Sequence, residues 1–105
     1  MAEFTLARSE SEDGVTTIIV AGEVDLATAP ELRVALLETT GDVAVDLAQV
    51  VFMDSTGLSA LIAGRKHVIG AGHAFSVRNE SDVIAHTMKL TGVYDVLHPD
   101  DTSPG

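Results

Sequence analysis

The chain has 105 residues, 46% of them apolar, with six Lys+Arg against 16 Asp+Glu for a net charge of −10. That is one domain with a modest core, and the absence of cysteine rules out a disulfide framework, a thiolate metal site and a cysteine nucleophile. So acidic a balance argues against nucleic acid and anionic membrane surfaces as partners. The start, Met1 to Thr5, lacks the basic-then-apolar pattern of a signal peptide, and no run nears the roughly 18 apolar residues of a membrane span, so a cytoplasmic protein is expected.

In chain order, Phe4-Thr5-Leu6-Ala7 alternates weakly and predicts an edge strand. The polar stretch from Ser9 ends in Asp13-Gly14, a hairpin signal. Val15 to Val20 is mostly β-branched and predicts a buried strand, which Ala21-Gly22-Glu23-Val24-Asp25 leaves. Thr28-Ala29-Pro30-Glu31 fits a capping box with proline in the first helical turn. Leu32, Ala35 and Leu36 give that helix its apolar stripe, and Gly41-Asp42 ends it. Val43 to Leu47 predicts a central strand.

Val50-Val51-Phe52-Met53 is a further apolar run, a strand or its exit loop, that stops at Asp54-Ser55-Thr56-Gly57. A helix with Leu58, Leu61 and Ile62 on one face follows, running to about Ile69 and stopped by Gly70-Ala71-Gly72. Ala74 to Val77 is the next strand. Ser81-Asp82 caps a third helix with Val83, Ile84, Thr87, Met88 and Leu90 inward, ended by Gly92. Val93 to Leu97 reads as a short final strand, and the residues from His98 onward as a frayed tail. The domain therefore covers 1–98, with a disordered tail over 99–105. The order ββαβαβα(β) predicts an α/β domain: a mixed sheet of four to five strands, parallel in its centre, with about three helices. With so few helices, one face is expected to be thinly covered.

The Asp54–Gly57 segment carries the chemistry. It delivers the Ser55 hydroxyl to a helix N-terminus, where free N–H groups and the helix dipole tolerate an anion such as a phosphoryl group. Ser55 is thus a candidate phosphoacceptor. Ordinary capping is the competing explanation, since Ser and Asp lead the N-cap ranking. Against it, Asp54, Ser55 and Thr56 supply three caps where one suffices. Gly57 is a poor helix former, and is read here as leaving open space beside the hydroxyl. Asp25 leaves one strand as Asp54 leaves another. If the two strands are parallel neighbours, Asp25, Asp54 and Ser55 share the sheet end where ligands of open α/β sheets bind; alone, Asp25 would pass for a turn residue.

Catalysis finds little support. His67, His73, His86 and His98 have no metal-ligand spacing, and His67 and His73 read as solvated. Ser55 lacks a G-x-S-x-G elbow, and Gly70-Ala71-Gly72 is not followed by G-K-[ST]. Arg65-Lys66-His67 sits late in its helix, where it complements the dipole. Met53 and Met88 read as core fillers. The charge is lopsided: residues 1–54 hold 11 acids and 2 bases, residues 55–105 hold 5 acids and 4 bases. An acidic face would steer toward a basic partner, though excess acid also serves solubility alone.

Phe52-Met53-Asp54-Ser55-Thr56-Gly57-Leu58, after Val45-Asp46-Leu47, resembles the motif of STAS-domain anti-sigma-factor antagonists. Gly22-Glu23-Val24-Asp25 and Leu90-Thr91-Gly92-Val93-Tyr94 are similar to two further landmarks of that family, so the resemblance spans roughly residues 4–98. It implies a partner switch. The unmodified antagonist binds an anti-sigma factor serine kinase, which then releases its sigma factor. The kinase phosphorylates the serine after the motif's aspartate, here Ser55, and the modified form dissociates until a metal-dependent Ser/Thr phosphatase resets it. Asp25, Asp54, Thr56 and Gly57 match the partner-binding positions. The resemblance implies no catalytic residue, cofactor or metal. A second reading is a non-switching STAS subunit of a stress-sensing or lipid-transport complex, with Ser55 merely a contact. A third, an enzyme or nucleotide binder using the Ser55 loop, lacks both a phosphate-cradling loop and an acid/base pair.

Overall fold

The computed structural model describes residues 3–99. The expected tail lies outside these residues apart from Pro99. The first hairpin pairs β1 (Thr5–Glu10) antiparallel with β2 (Thr16–Val24). Its turn is built by Asp13, whose Oδ1 accepts from the Ser11 hydroxyl and from the Val15 amide at 3.2 Å. Then follow α1 (Ala29–Leu37), β3 (Val43–Met53), α2 (Ser55–Gly70), β4 (Phe75–Arg78), α3 (Asp82–Leu90) and α4 (Tyr94–Leu97). The sheet order is β1-β2-β3-β4, with β2–β3 and β3–β4 parallel. The mixed sheet with a parallel centre is as expected, and it has four strands.

Both crossovers step the same way across the sheet and are right-handed by the usual chirality, which puts α1 and α2 on one face. On that face Ile18, Val20, Val24, Val45 and Leu47 meet Leu32, Leu36, Leu58 and Leu61 in a single core. Alternate β2 residues Thr17, Ile19 and Ala21 are only half-buried, so the opposite face is the thinly covered one. The two helices touch closely because Gly64 has no side chain: a Cβ there would lie 2.6 Å from Leu36 Cδ1.

Several boundaries differ from the sequence reading. β2 does not end at Val20. It continues to Val24, and β3 continues beyond Leu47 to Met53, through register irregularities between Ile19 and Ala21 and between Gly22 and Glu23. Gly22 makes this possible. Its φ is +91°, and a Cβ would lie 2.3 Å from the Glu3 carbonyl oxygen, so only glycine lets the N-terminal segment pass. Val93 to Leu97 is not a strand. After Gly92 turns at φ +78°, the chain coils once more, so that Val93, Tyr94 and Leu97 share one apolar side against the core. His98 is not frayed either: it packs on the Tyr94 ring and pairs with Glu80, with both side chains about nine-tenths buried. On α3, Ile84 and Met88 point inward, whereas Val83 and Leu90 are exposed.

Candidate functional site

The irregular β2–β3 register has a functional consequence: it brings the two strand ends level. Val24 is opposite Met53, and the Asp54 amide donates to the Val24 carbonyl at 3.2 Å. Asp25 and Asp54 therefore leave the sheet side by side, as the sequence reading required.

Asp54 is the N-cap of α2, in extended backbone. Its Oδ1 accepts from the Thr56 amide at 2.9 Å, the Gly57 amide at 3.3 Å and the Thr56 hydroxyl. The Thr56 hydroxyl, followed by these amides, holds the Asp54 carboxyl below the usual carboxylate range, against a smaller opposing effect of burial. The carboxylate is thus fixed, ionised and turned onto its own helix.

Ser55 begins the helix and is exposed. With Asp54 doing the capping, the Ser55 hydroxyl has no hydrogen-bond partner among the described residues. Thr56 is half-buried and its hydroxyl is engaged by Asp54. Of the two adjacent hydroxyls, Ser55 alone is presented to solvent.

Asp25 is built into a tight turn. Its Oδ1 accepts from the amides of Ala27 at 3.0 Å and Thr28 at 3.2 Å and from the Thr28 hydroxyl. This corrects the expected capping box. The Thr28 side chain caps no helical amide; its hydroxyl instead accepts from the Asp25 amide and donates to the Glu23 carbonyl, both at 2.9 Å. Asp25 organises the start of α1, and Thr28 ties that loop to the end of β2.

Gly57 is buried, which corrects the reading of open space beside the hydroxyl. A Cβ there would fall 2.6 Å from Met53 Cγ and 2.8 Å from Val24 Cγ1. The glycine lets the helix start rest directly on the two strand ends, and so positions Ser55 without facing a visitor itself. His67 is likewise not solvated: it is half-buried, with Nε2 3.0 Å from the Thr39 carbonyl oxygen. His73 stays exposed, 3.6 Å from Asp42.

Two shallow grooves open beside Ser55. One of about 390 Å³ runs down α2 past Leu58, Ile62 and Lys66 to Val93. The other, of about 270 Å³, lies between α1 and α2 under Leu26 and Pro30. Arg33 lines both. Leu26 is 76% exposed, an apolar side chain held out beside the serine. Sequence reasoning missed Leu26 and Arg33. The available signal was that both fall off the Leu32–Leu36 stripe of α1. Among the described residues no three His, Asp or Glu side chains cluster as a metal site, and no helix is long and apolar enough to cross a membrane.

Comparison with known proteins fits this architecture. A family model described as "Mlab, STAS domain" matches residues 7–98. The chain is 34% identical over 89 residues to the anti-sigma-B factor antagonist of Bacillus subtilis, covering 82% of each chain. It is 34% identical over 92 residues to the protein of that name from Staphylococcus epidermidis, covering 84% of this chain and 85% of that one. Among solved structures, an anti-sigma factor antagonist from Mycobacterium paratuberculosis superposes with a TM-score of 0.79 at 27% identity, over 90% of this chain and 83% of that one. The unphosphorylated antagonist SpoIIAA superposes at 0.74 with 14% identity, over 86% and 83%, which speaks for the fold alone. The chain belongs to the STAS-domain family.

Proposed function

We propose that this chain is an anti-sigma factor antagonist and a binding module rather than an enzyme. Its unmodified form engages an anti-sigma serine kinase through the sheet end that carries Asp25, Asp54 and Ser55, and the kinase then frees its sigma factor. The observation that carries this reading is the Ser55 hydroxyl: solvent-facing, without a protein partner, and fixed at a helix start by a neighbouring cap, in a chain whose relatives are named anti-sigma-B factor antagonists. Leu26 supplies an apolar anchor beside it.

The switch is the transfer of the γ-phosphoryl group of ATP to Ser55 Oγ, with ADP leaving and the hydroxyl proton passing to a base of the kinase. This chain supplies only the nucleophile. The product gains about −1.5 to −2 charges next to two carboxylates. Two unit charges 4 Å apart repel by about 4 kcal/mol at an effective dielectric of 20, about a thousandfold in affinity. The helix N-terminus meanwhile tolerates the phosphate, so the partner leaves while the fold persists. A metal-dependent Ser/Thr phosphatase restores the hydroxyl.

The test is a pull-down from extract of the source cells with wild type, Ser55→Ala and Ser55→Glu, followed by titration against the captured kinase. Wild type and Ser55→Ala should retain it. Ser55→Glu should lose most of its affinity with its melting temperature nearly unchanged, because an acid suits the first turn of a helix. Equal affinities for the Ala and Glu variants would refute the switch. Stable capture of a non-kinase complex would favour the non-switching subunit.

A further inference from the structure

We propose that Arg33 is the internal counter-ion of phosphorylated Ser55, closing an ion pair across the α1–α2 groove once the phosphate is present. This rests on Ser55 as the modified residue. The first observation is one of charge. The chain has 16 acids and six Lys+Arg, yet among the described residues no carboxylate lines either groove at Ser55, while Arg33 lines both. Arg33 is also exposed and forms no ion pair among the described residues, unlike Arg8, which pairs with Glu10 at 3.0 Å. In so acidic a chain, a cation left without a carboxylate is a position where an anion is missing.

The second observation is one of direction. α1 and α2 each return the chain from the end of one parallel strand to the start of the next, so both helices begin at the same sheet end. Arg33 is four residues into α1 and Ser55 is the first residue of α2. Their difference in level is therefore about 6 Å at 1.5 Å per residue. Helical side chains lean toward their own N-terminus, so the Arg33 guanidinium leans back toward the level of Ser55. Its fork suits bidentate contact with phosphate oxygens. Lys66 lines the longer groove but sits eleven residues along α2, about 16 Å down the axis and beyond the Debye length of about 8 Å in physiological salt. The fixed charges facing a phosphate at this point are thus Arg33 from α1, Lys66 at a distance on α2, and the carboxylates of Asp54 and Asp25 at the strand ends.

Such a pair would draw the phosphate sideways into the protein's own groove and neutralise a cation that the unmodified surface offers to a partner. A glutamate at position 55 is shorter and carries less charge, so it would reach Arg33 poorly.

The test uses protein with phosphoserine installed at position 55 during translation, so that it does not depend on any kinase. The second ionisation of the phosphate, near about pH 6 in free phosphoserine, is followed by phosphorus NMR in wild type, Arg33→Ala, Arg33→Lys and Lys66→Ala. Arg33→Ala should raise the phosphate pKa by about half a unit, the scale of a surface ion pair. Arg33→Lys should recover much of that shift, and Lys66→Ala should leave the pKa near wild type. Equal shifts for Arg33→Ala and Lys66→Ala, or none for either, would overturn the ion pair. Failure of the functional reading would appear elsewhere, as a kinase that leaves Ser55 unlabelled, and would not disturb this titration.

Discussion

The division of labour between neighbouring side chains is what makes Ser55 available. Asp54 satisfies the first amides of α2 and occupies the Thr56 hydroxyl, and the serine between them is left with no structural duty. The cap also has a pH signature. The folded carboxyl of Asp54 is held below its ordinary value, so the folded state binds a proton less readily than the unfolded chain. Its stabilisation is complete above the unfolded value near about pH 4 and is lost as pH falls through the lowered folded value. Asp54→Asn keeps a good cap but cannot ionise. It should cost about 0.5–1 kcal/mol near neutral pH, the scale of a charge at a helix terminus, and progressively less in acid. Urea midpoints for both proteins at pH 6 and pH 3 check this; a deficit independent of pH would show that the charge contributes nothing. The cap could be read from Asp54-Ser55-Thr56 alone, since local hydrogen bonding dictates it. The role of Gly57 could not, because what its missing side chain avoids, Val24 and Met53, arrives only when the strands assemble.

At the level of elements, the sequence showed which segments are helices and strands but misjudged where the strands end. Gly22 and Glu23 look like a strand exit, yet a neighbouring strand that carries its own irregularity keeps them paired to the end of β2. Pairing is non-local, so no window of sequence contains it. The Val93–Leu97 run fails for a related reason: β-branched residues favour a strand only if an edge receives them, and here the apolar side is buried on α2 and α3 instead. The docking of α2 on the strand ends can be tested with its glycines. Gly70 has open space around it, whereas a Cβ at Gly57 meets Val24, a stiff side chain with 0% exposure. Gly70→Ala should therefore raise stability by up to about 1 kcal/mol through helix propensity. Gly57→Ala should lower it by about 1–2 kcal/mol, as overpacking outweighs the same propensity gain. Thermal melts of the two variants should move in opposite directions. A stabilised Gly57→Ala would mean that the contact relaxes freely and that the glycine does not set the height of Ser55.

Across the whole molecule, charge acts at two ranges, and they separate experimentally. A net charge of −10 accelerates encounter with any basic partner, and this long-range effect fades with salt. A contact at the binding face instead slows departure. Asp13 and Asp25 form a matched pair for distinguishing the two. Each carboxylate accepts hydrogen bonds within its own turn, and the β1–β2 turn that holds Asp13 is at the opposite end of β2 from Asp25. Asparagine at either position keeps an acceptor oxygen and removes one charge, so the turns should persist. In binding to the captured kinase at low salt, both variants should associate slightly and equally more slowly, because each removes the same share of the field. Only Asp25→Asn should also dissociate faster, by about tenfold, worth about 1.4 kcal/mol, and that loss should survive moderate salt because partly buried pairs are screened less. If the two variants differ only in association, or not at all, Asp25 is a turn residue that happens to border the site, and the face that receives the kinase must be sought around Leu26 and Ser55 instead.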